Sequence, residues 1–183
     1  MTIPVFRDPR VASLEAELGR VMAAFDAVLD ALPAAMIDAA PEGQWSPVQI
    51  VWHLSKVQHW AVGKLTAGAA ALSPMSTVPP GPAPATILTL LDAFPIRDRS
   101  RRVQAPEAVR PPRGLDLDAE RARWRDGRAA LLEVLQRIGP NLTNVRGDHP
   151  IFGTLTGWQW ALWVAQHEER HLEQLREVIS TTR

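Results

Sequence analysis

The chain reads as all-α, a four-helix bundle with a long crossover between its second and third helices. Three observations carry that reading. Four segments repeat their apolar residues every three to four positions, and each is ~20–25 residues long, or roughly 30–37 Å at about 1.5 Å per residue. No segment alternates convincingly with a period of two. Finally, about 50 residues separate the second and third segments, far more than an antiparallel turn needs, which permits those helices to run parallel. The 183 residues suit one domain spanning 1–183, long enough to bury a core without staples.

The first helix is expected over about 9–32. Asp8 is a good N-cap, Pro9 suits the first helical position, and Leu14, Leu18, Val21, Phe25, Val28 and Leu32 form one face before Pro33 ends it. The second, about 47–66, opens on Ser46-Pro47-Val48-Gln49, a capping box in which the serine caps and the glutamine reaches back. A short helix, Thr86 to Phe94, is expected inside the crossover. The third, about 117–138, starts near Asp116 or Asp118, carries Trp124, Leu131, Leu135 and Ile138, and stops at Gly139-Pro140. The fourth runs over about 156–180.

Composition excludes several classes of function. There is no cysteine, so disulfides, thiolate metal ligands, iron–sulfur clusters and a cysteine nucleophile are ruled out. Lys+Arg and Asp+Glu balance at 20 each, so no overall field draws the chain to nucleic acid or an anionic membrane. The longest charge-free stretch, Leu65 to Leu91, is broken by five prolines and cannot span a membrane as a helix. Met1 to Asp8 lacks a basic region followed by an apolar run, so a secretory leader is not expected and the cytoplasm is the expected location. Arg97 to Arg113 holds six arginines without aromatic residues for stacking; it reads as a solvated connection whose arginines pair with nearby acids.

The histidines carry the chemistry. With His167 at zero and about 100° per residue, Trp160, Val164, His171, Gln174 and Val178 fall within about 60° of it, on the apolar face of the fourth helix. On the second helix His53 shares a face with Gln49, Ile50, Val57, Trp60 and Lys64, while His59 points away. A His-x-x-x-His pair sets two imidazoles one turn apart, and a third from a facing helix completes a three-nitrogen site for a divalent metal with one position open. Zinc, nickel or iron(II) suits such donors. His167-Glu168-Glu169-Arg170-His171 also matches the His-Glu-x-x-His pattern of zinc proteases, but little chain follows it for a further ligand, and Gln174 stands where the extended motif has glycine. Glu168 and Arg170 flank the histidine face as candidate catalytic residues. Gln49 and Gln174, one turn from proposed ligands, are candidates to orient imidazoles, and His149 either approaches the site or fixes its own loop.

Trp45-Ser46-Pro47 followed by His53-Leu54, the loop His149-Pro150-Ile151-Phe152-Gly153, and the closing His167-Glu168-x-Arg170-His171-Leu172-x-Gln174-Leu175 together resemble the DinB-like (YfiT-like) superfamily, over about residues 8 to 180. The resemblance implies the same bundle and crossover, often a homodimer, and a divalent metal on His53, His167 and His171. It also implies thiol S-transferases using bacillithiol or mycothiol and a mycothiol-dependent maleylpyruvate isomerase among the activities of the family. The leading expectation is therefore metal-dependent transfer of a low-molecular-weight thiol to an electrophilic small molecule. A metal-dependent hydrolase with Glu168 as base and a non-catalytic metal-binding stress-response bundle are the alternatives. Trp158, Ala161, Leu162, Ala165 and Leu172 lie opposite the histidines, so the first half of the fourth helix is apolar all round. Either the crossover or a second subunit must cover it, and a homodimer through this face is the expectation.

Overall fold

Each helix begins where a side chain satisfies its first amides. The structure is a computed structural model that describes residues 8–73, 77–100 and 104–182. Helix α1 is Pro9–Asp30, with the Asp8 carboxylate accepting the Arg10 N–H at 2.9 Å. Helix α2 is Pro47–Ala70; its capping box closes, Gln49 Oε1 accepting the Ser46 N–H at 3.0 Å. It continues past Thr66 to Ala70 because Ala67-Gly68-Ala69-Ala70 contains no strong breaker. Helix α3 is Leu117–Ile138, capped by Asp116 on the Ala119 N–H at 2.8 Å and closed by Gly139 at φ 53°. Helix α4 is Gly157–Thr182.

Contacts fix the directions. Leu18 and Asp26 of α1 meet Arg128 and Arg121 of α3, so these two helices are antiparallel. Arg10 lies over Trp158 and Arg20 reaches Glu169, so α1 and α4 are parallel. Trp60 packs on Trp160 and His53 on His171, which makes α2 and α4 antiparallel. Gln58 donates to the Trp124 carbonyl while Gly68 abuts Arg146, just beyond α3. Helices α2 and α3 therefore run the same way, joined by the crossover.

The short helix expected over Thr86 to Phe94 is instead a 3₁₀ helix, Pro84–Thr89, followed by turns. The Thr86 and Thr89 hydroxyls each donate at 3.0 Å to a carbonyl three residues back, which competes with an α-helical ladder. Ile87 and Leu91 still enter the core at 1% exposure. An antiparallel hairpin, β1 Arg146–His149 and β2 Gly153–Thr156, precedes α4, where the sequence shows no strand period. Its strands are too short to show one, and Gly153 supplies the positive φ of 70° that its turn requires.

The face of α4 expected to bind a second subunit is covered by the chain itself. Trp158, Ala161, Leu162, Ala165 and Leu172 are all at most 5% exposed. The first four belong to one cluster with Leu14 and Leu18 of α1 and Ile87, Leu91 and Ile96 of the crossover. Of the two sources of cover, the crossover supplies it, together with α1. The arginine-rich stretch is fastened to α4 as well, Arg97 on Glu169 and Arg99 on Glu177. Arg101 and Arg102, like Met1 to Arg7, lie outside the described residues. Among the described residues no helix is long and apolar enough to cross a membrane.

The core falls into two apolar clusters. Close to where they meet, on α2, α3 and α4, lie the buried Gln58, Arg128 and Glu168. Arg128 donates to Gln58, to the Leu18 carbonyl and to Glu168, and Trp124 donates to Glu168 at 2.9 Å. One guanidinium thus touches all three other helices.

Candidate metal centre

Helix α4 places His167 and His171 one turn apart on the side that faces α2, and α2 presents His53 between them and the crossover. The Nε2 atoms converge: His167 Nε2 stands 3.4 Å from that of His53 and 3.2 Å from that of His171. One ring nitrogen from each of the three lies within 4.8 Å of the others, and this set contains no carboxylate.

The opposite ring nitrogens decide which tautomers are present. His53 Nδ1 lies 2.8 Å from the Val109 carbonyl, and His171 Nδ1 lies 2.7 Å from Gln174 Oε1. Both partners only accept, so each ring carries its proton on Nδ1 and turns a lone pair inward from Nε2. His167 Nδ1 is buried and has no hydrogen-bond partner among the described residues. Burial pushes the His53 pKa down to about 4, against the Val109 hydrogen bond, which raises it. His167 and His171 lie well below the ordinary value for the same first reason, with neighbouring histidines lowering both further. All three rings are neutral at pH 7, the state in which imidazole binds a metal.

The donor set fits a divalent ion. Nitrogens held at about 2.0–2.1 Å on a tetrahedral centre stand roughly 3.3–3.4 Å apart. The two Nε2 separations, 3.2 and 3.4 Å, bracket that range. Without an ion, lone pairs of His53 and His171 compete for whatever single proton His167 Nε2 carries. A cation satisfies all three. His53 and His171 are buried and His167 is partly exposed.

Aromatic rings wall the cluster. Trp45 sits 4.8 Å from the His53 ring and 6.1 Å from His171, and Trp163 lies 5.0 Å from His167. His149 is buried beyond Trp163, 4.6 Å from that ring, and its Nδ1 accepts the N–H groups of Ile151 and Phe152. It braces the hairpin turn and lies outside the cluster. Burial, and then Lys64, push its pKa down to about 4.

Three other residues occupy places different from those expected. Glu168, expected at the edge of the histidine face, is 1% exposed in the bundle centre, with one oxygen on Trp124 and the other on Arg128. Its Cα is next to that of His167, yet its side chain turns to α3. Arg170 donates to the Ile96 and Asp98 carbonyls and fastens the crossover to α4. Gln49 does not touch an imidazole: Oε1 takes the Ser46 N–H and Nε2 donates to the Pro112 carbonyl at 2.9 Å. The group that orients His53 is the Val109 carbonyl, which no sequence signal marks because it is backbone in an irregular segment. Trp45 carries part of the family resemblance, but its place against the imidazoles follows only from the fold.

No curated protein matches the chain by sequence. Among solved structures it is similar to TT2238, described as a four-helix bundle protein, with a TM-score of 0.61, 21% identity, and coverage of 91% of this chain and 98% of that one. At that identity the likeness shows the fold alone. The profile of the DinB superfamily matches residues 17–175, a span that takes in both histidine-bearing helices and the crossover. The chain belongs to the DinB superfamily.

Proposed function

We propose that the protein is a cytoplasmic metal-dependent enzyme that transfers a low-molecular-weight thiol, of the bacillithiol or mycothiol type, to an electrophilic small molecule. The observation that carries the reading is the convergence of three imidazoles kept neutral by burial, His53, His167 and His171, whose facing ring nitrogens all lie within 4.8 Å of one another. On His53 and His171 the proton is held on the outer nitrogen. A divalent zinc, nickel or iron ion with an open position would supply Lewis acidity there, lowering the pKa of a thiol that reaches it. The chain itself has no cysteine, so the sulfur comes from a cosubstrate. His53, His167 and His171 are the proposed ligands. Val109 and Gln174 hold two of the rings, and Trp45 and Trp163 shield the centre from bulk water.

Hydrolysis with Glu168 as base is disfavoured, because both of its oxygens are already engaged in the bundle centre. Arg170, held by crossover carbonyls, is a fastening residue in this reading. The test is metal content of the tag-free protein by elemental mass spectrometry, beside His53→Ala. About one metal per chain, lost in the variant, supports the centre. A screen of metal-loaded protein with bacterial thiols and broad electrophiles then tests the reaction, and absence of thiol-dependent turnover refutes the transferase.

A further inference from the structure

His53 is the one proposed ligand whose orienting partner comes from the crossover, so something must hold the crossover in place beside it. We infer that Gln49 is a positioning residue for His53, clamping the crossover so that the Val109 carbonyl meets the imidazole; for its metal readout this rests on the metal-centre reading. The geometry is a short relay. Gln49 lies one turn before His53 on α2, and its Nε2 donates at 2.9 Å to the carbonyl of Pro112. Three residues earlier, the Val109 carbonyl accepts from His53 Nδ1 at 2.8 Å.

The link between the two carbonyls is stiff. Glu107–Val109 is a single 3₁₀ turn, closed by the Arg110 N–H on the Glu107 carbonyl at 3.0 Å. Arg110 follows at φ −83° and ψ 121°, the extended region imposed on a residue before proline, and Pro111-Pro112 fix the next two φ angles. Moving Pro112 therefore moves Val109. Gln49 uses its other amide atom to close the capping box of α2, so one side chain sets the helix start and the crossover in a common frame. The bond to Pro112 is a single exposed amide contact, which makes its removal informative.

The experiment compares Gln49→Ala with Ser46→Ala by zinc competition against a chromophoric chelator. Both variants weaken the helix start; only the first frees Pro112. The expected result is a zinc Kd weakened about three- to tenfold in Gln49→Ala, less than the roughly 10–100-fold typical when a direct outer partner is removed. Ser46→Ala should leave the Kd unchanged while lowering Tm. An unchanged Kd in Gln49→Ala, or an equal loss in Ser46→Ala, overturns the inference. A second variant reads the relay without metal. Gln49→Glu keeps the acceptor for the Ser46 N–H and loses only the donor to Pro112. In metal-free protein its His53 imidazole N–H should exchange faster with solvent by NMR than in the wild type, and unaltered exchange overturns the relay. If the wild type takes up no zinc, it is the metal-centre reading that fails, and the exchange measurement still decides the role of Gln49.

Discussion

Glu168 shows how little a helical angle says about depth. At about 100° from His167 it stands at the edge of a stripe on the wheel, yet it is buried at 1% exposure on Arg128 and Trp124. The wheel assumes one wet face, whereas α4 is buried nearly all round from Gly157 to Leu172, so a residue off the histidine face enters a different part of the core. The histidines themselves were legible because their spacing alone puts them on one face. The guanidinium that answers Glu168 was not legible, since one arginine among many carries no mark of its partner. Glu168→Gln removes one charge of a buried pair and leaves Arg128 uncompensated, which costs about 3–5 kcal/mol. Urea denaturation of the metal-free protein should show that loss. A residue serving only as a base would give a variant of wild-type stability, so an unchanged midpoint refutes the structural role.

The starts of α1 and α2 were readable from sequence, and that of α3 to within two residues, because Asp8, Ser46 and Asp116 solve the local problem of unpaired amides with their own side chains. The hairpin was not, since four-residue strands give no periodicity and their pairing depends on α2 being beside them. Gly68 is where that dependence is concentrated. A Cβ there would stand 2.7 Å from the Arg146 carbonyl oxygen and 2.8 Å from a Val145 methyl. In an exposed helix interior, Gly→Ala stabilises by about 1 kcal/mol. Here the sign should reverse: Gly68→Ala pushes β1 away from α2, with a net loss of about 1–3 kcal/mol. Gly63 on the same helix, where an added methyl would find nothing within 4 Å, is the control that should gain. Equal gains at both sites in urea titrations would refute the close packing of helix on hairpin.

Arg128 gathers α1, α2 and α4 at one level, and the crossover is fastened to α4 by Arg97, Arg99 and Arg170 and to α2 by Gln49. That construction holds four histidines in places where a proton is unwelcome. His53 and His149 are pushed from 6.5 to about 4, chiefly by burial, and His167 and His171 lie well below 6.5 for the same reason. The unfolded chain takes up these protons as pH falls through 6.5, whereas in the folded chain His53 and His149 refuse theirs until about 4 and His167 and His171 hold theirs off well below 6.5. The unfolded state therefore binds more protons throughout that window, and stability must rise with pH across it. Metal-free protein should be flat in stability above pH 7 with respect to these groups and lose it progressively from about 6.5 down to about 4. Below that, carboxylates held down by arginine, Asp8 by Arg10 and Glu17 by Arg20, continue the loss as they protonate. His149→Phe removes one titrating ring that lies outside the proposed ligands, so its slope of stability against pH should be shallower by up to one proton. Saturating zinc, which binds only the neutral rings, should raise stability most at neutral pH and steepen its fall on acidification. Urea midpoints at pH 5 and pH 7.5, with and without zinc, test both halves: a metal-free protein equally stable at the two pH values would mean that these histidines take up protons in the folded state as readily as in the unfolded chain, which overturns the burial that holds their pKa values down.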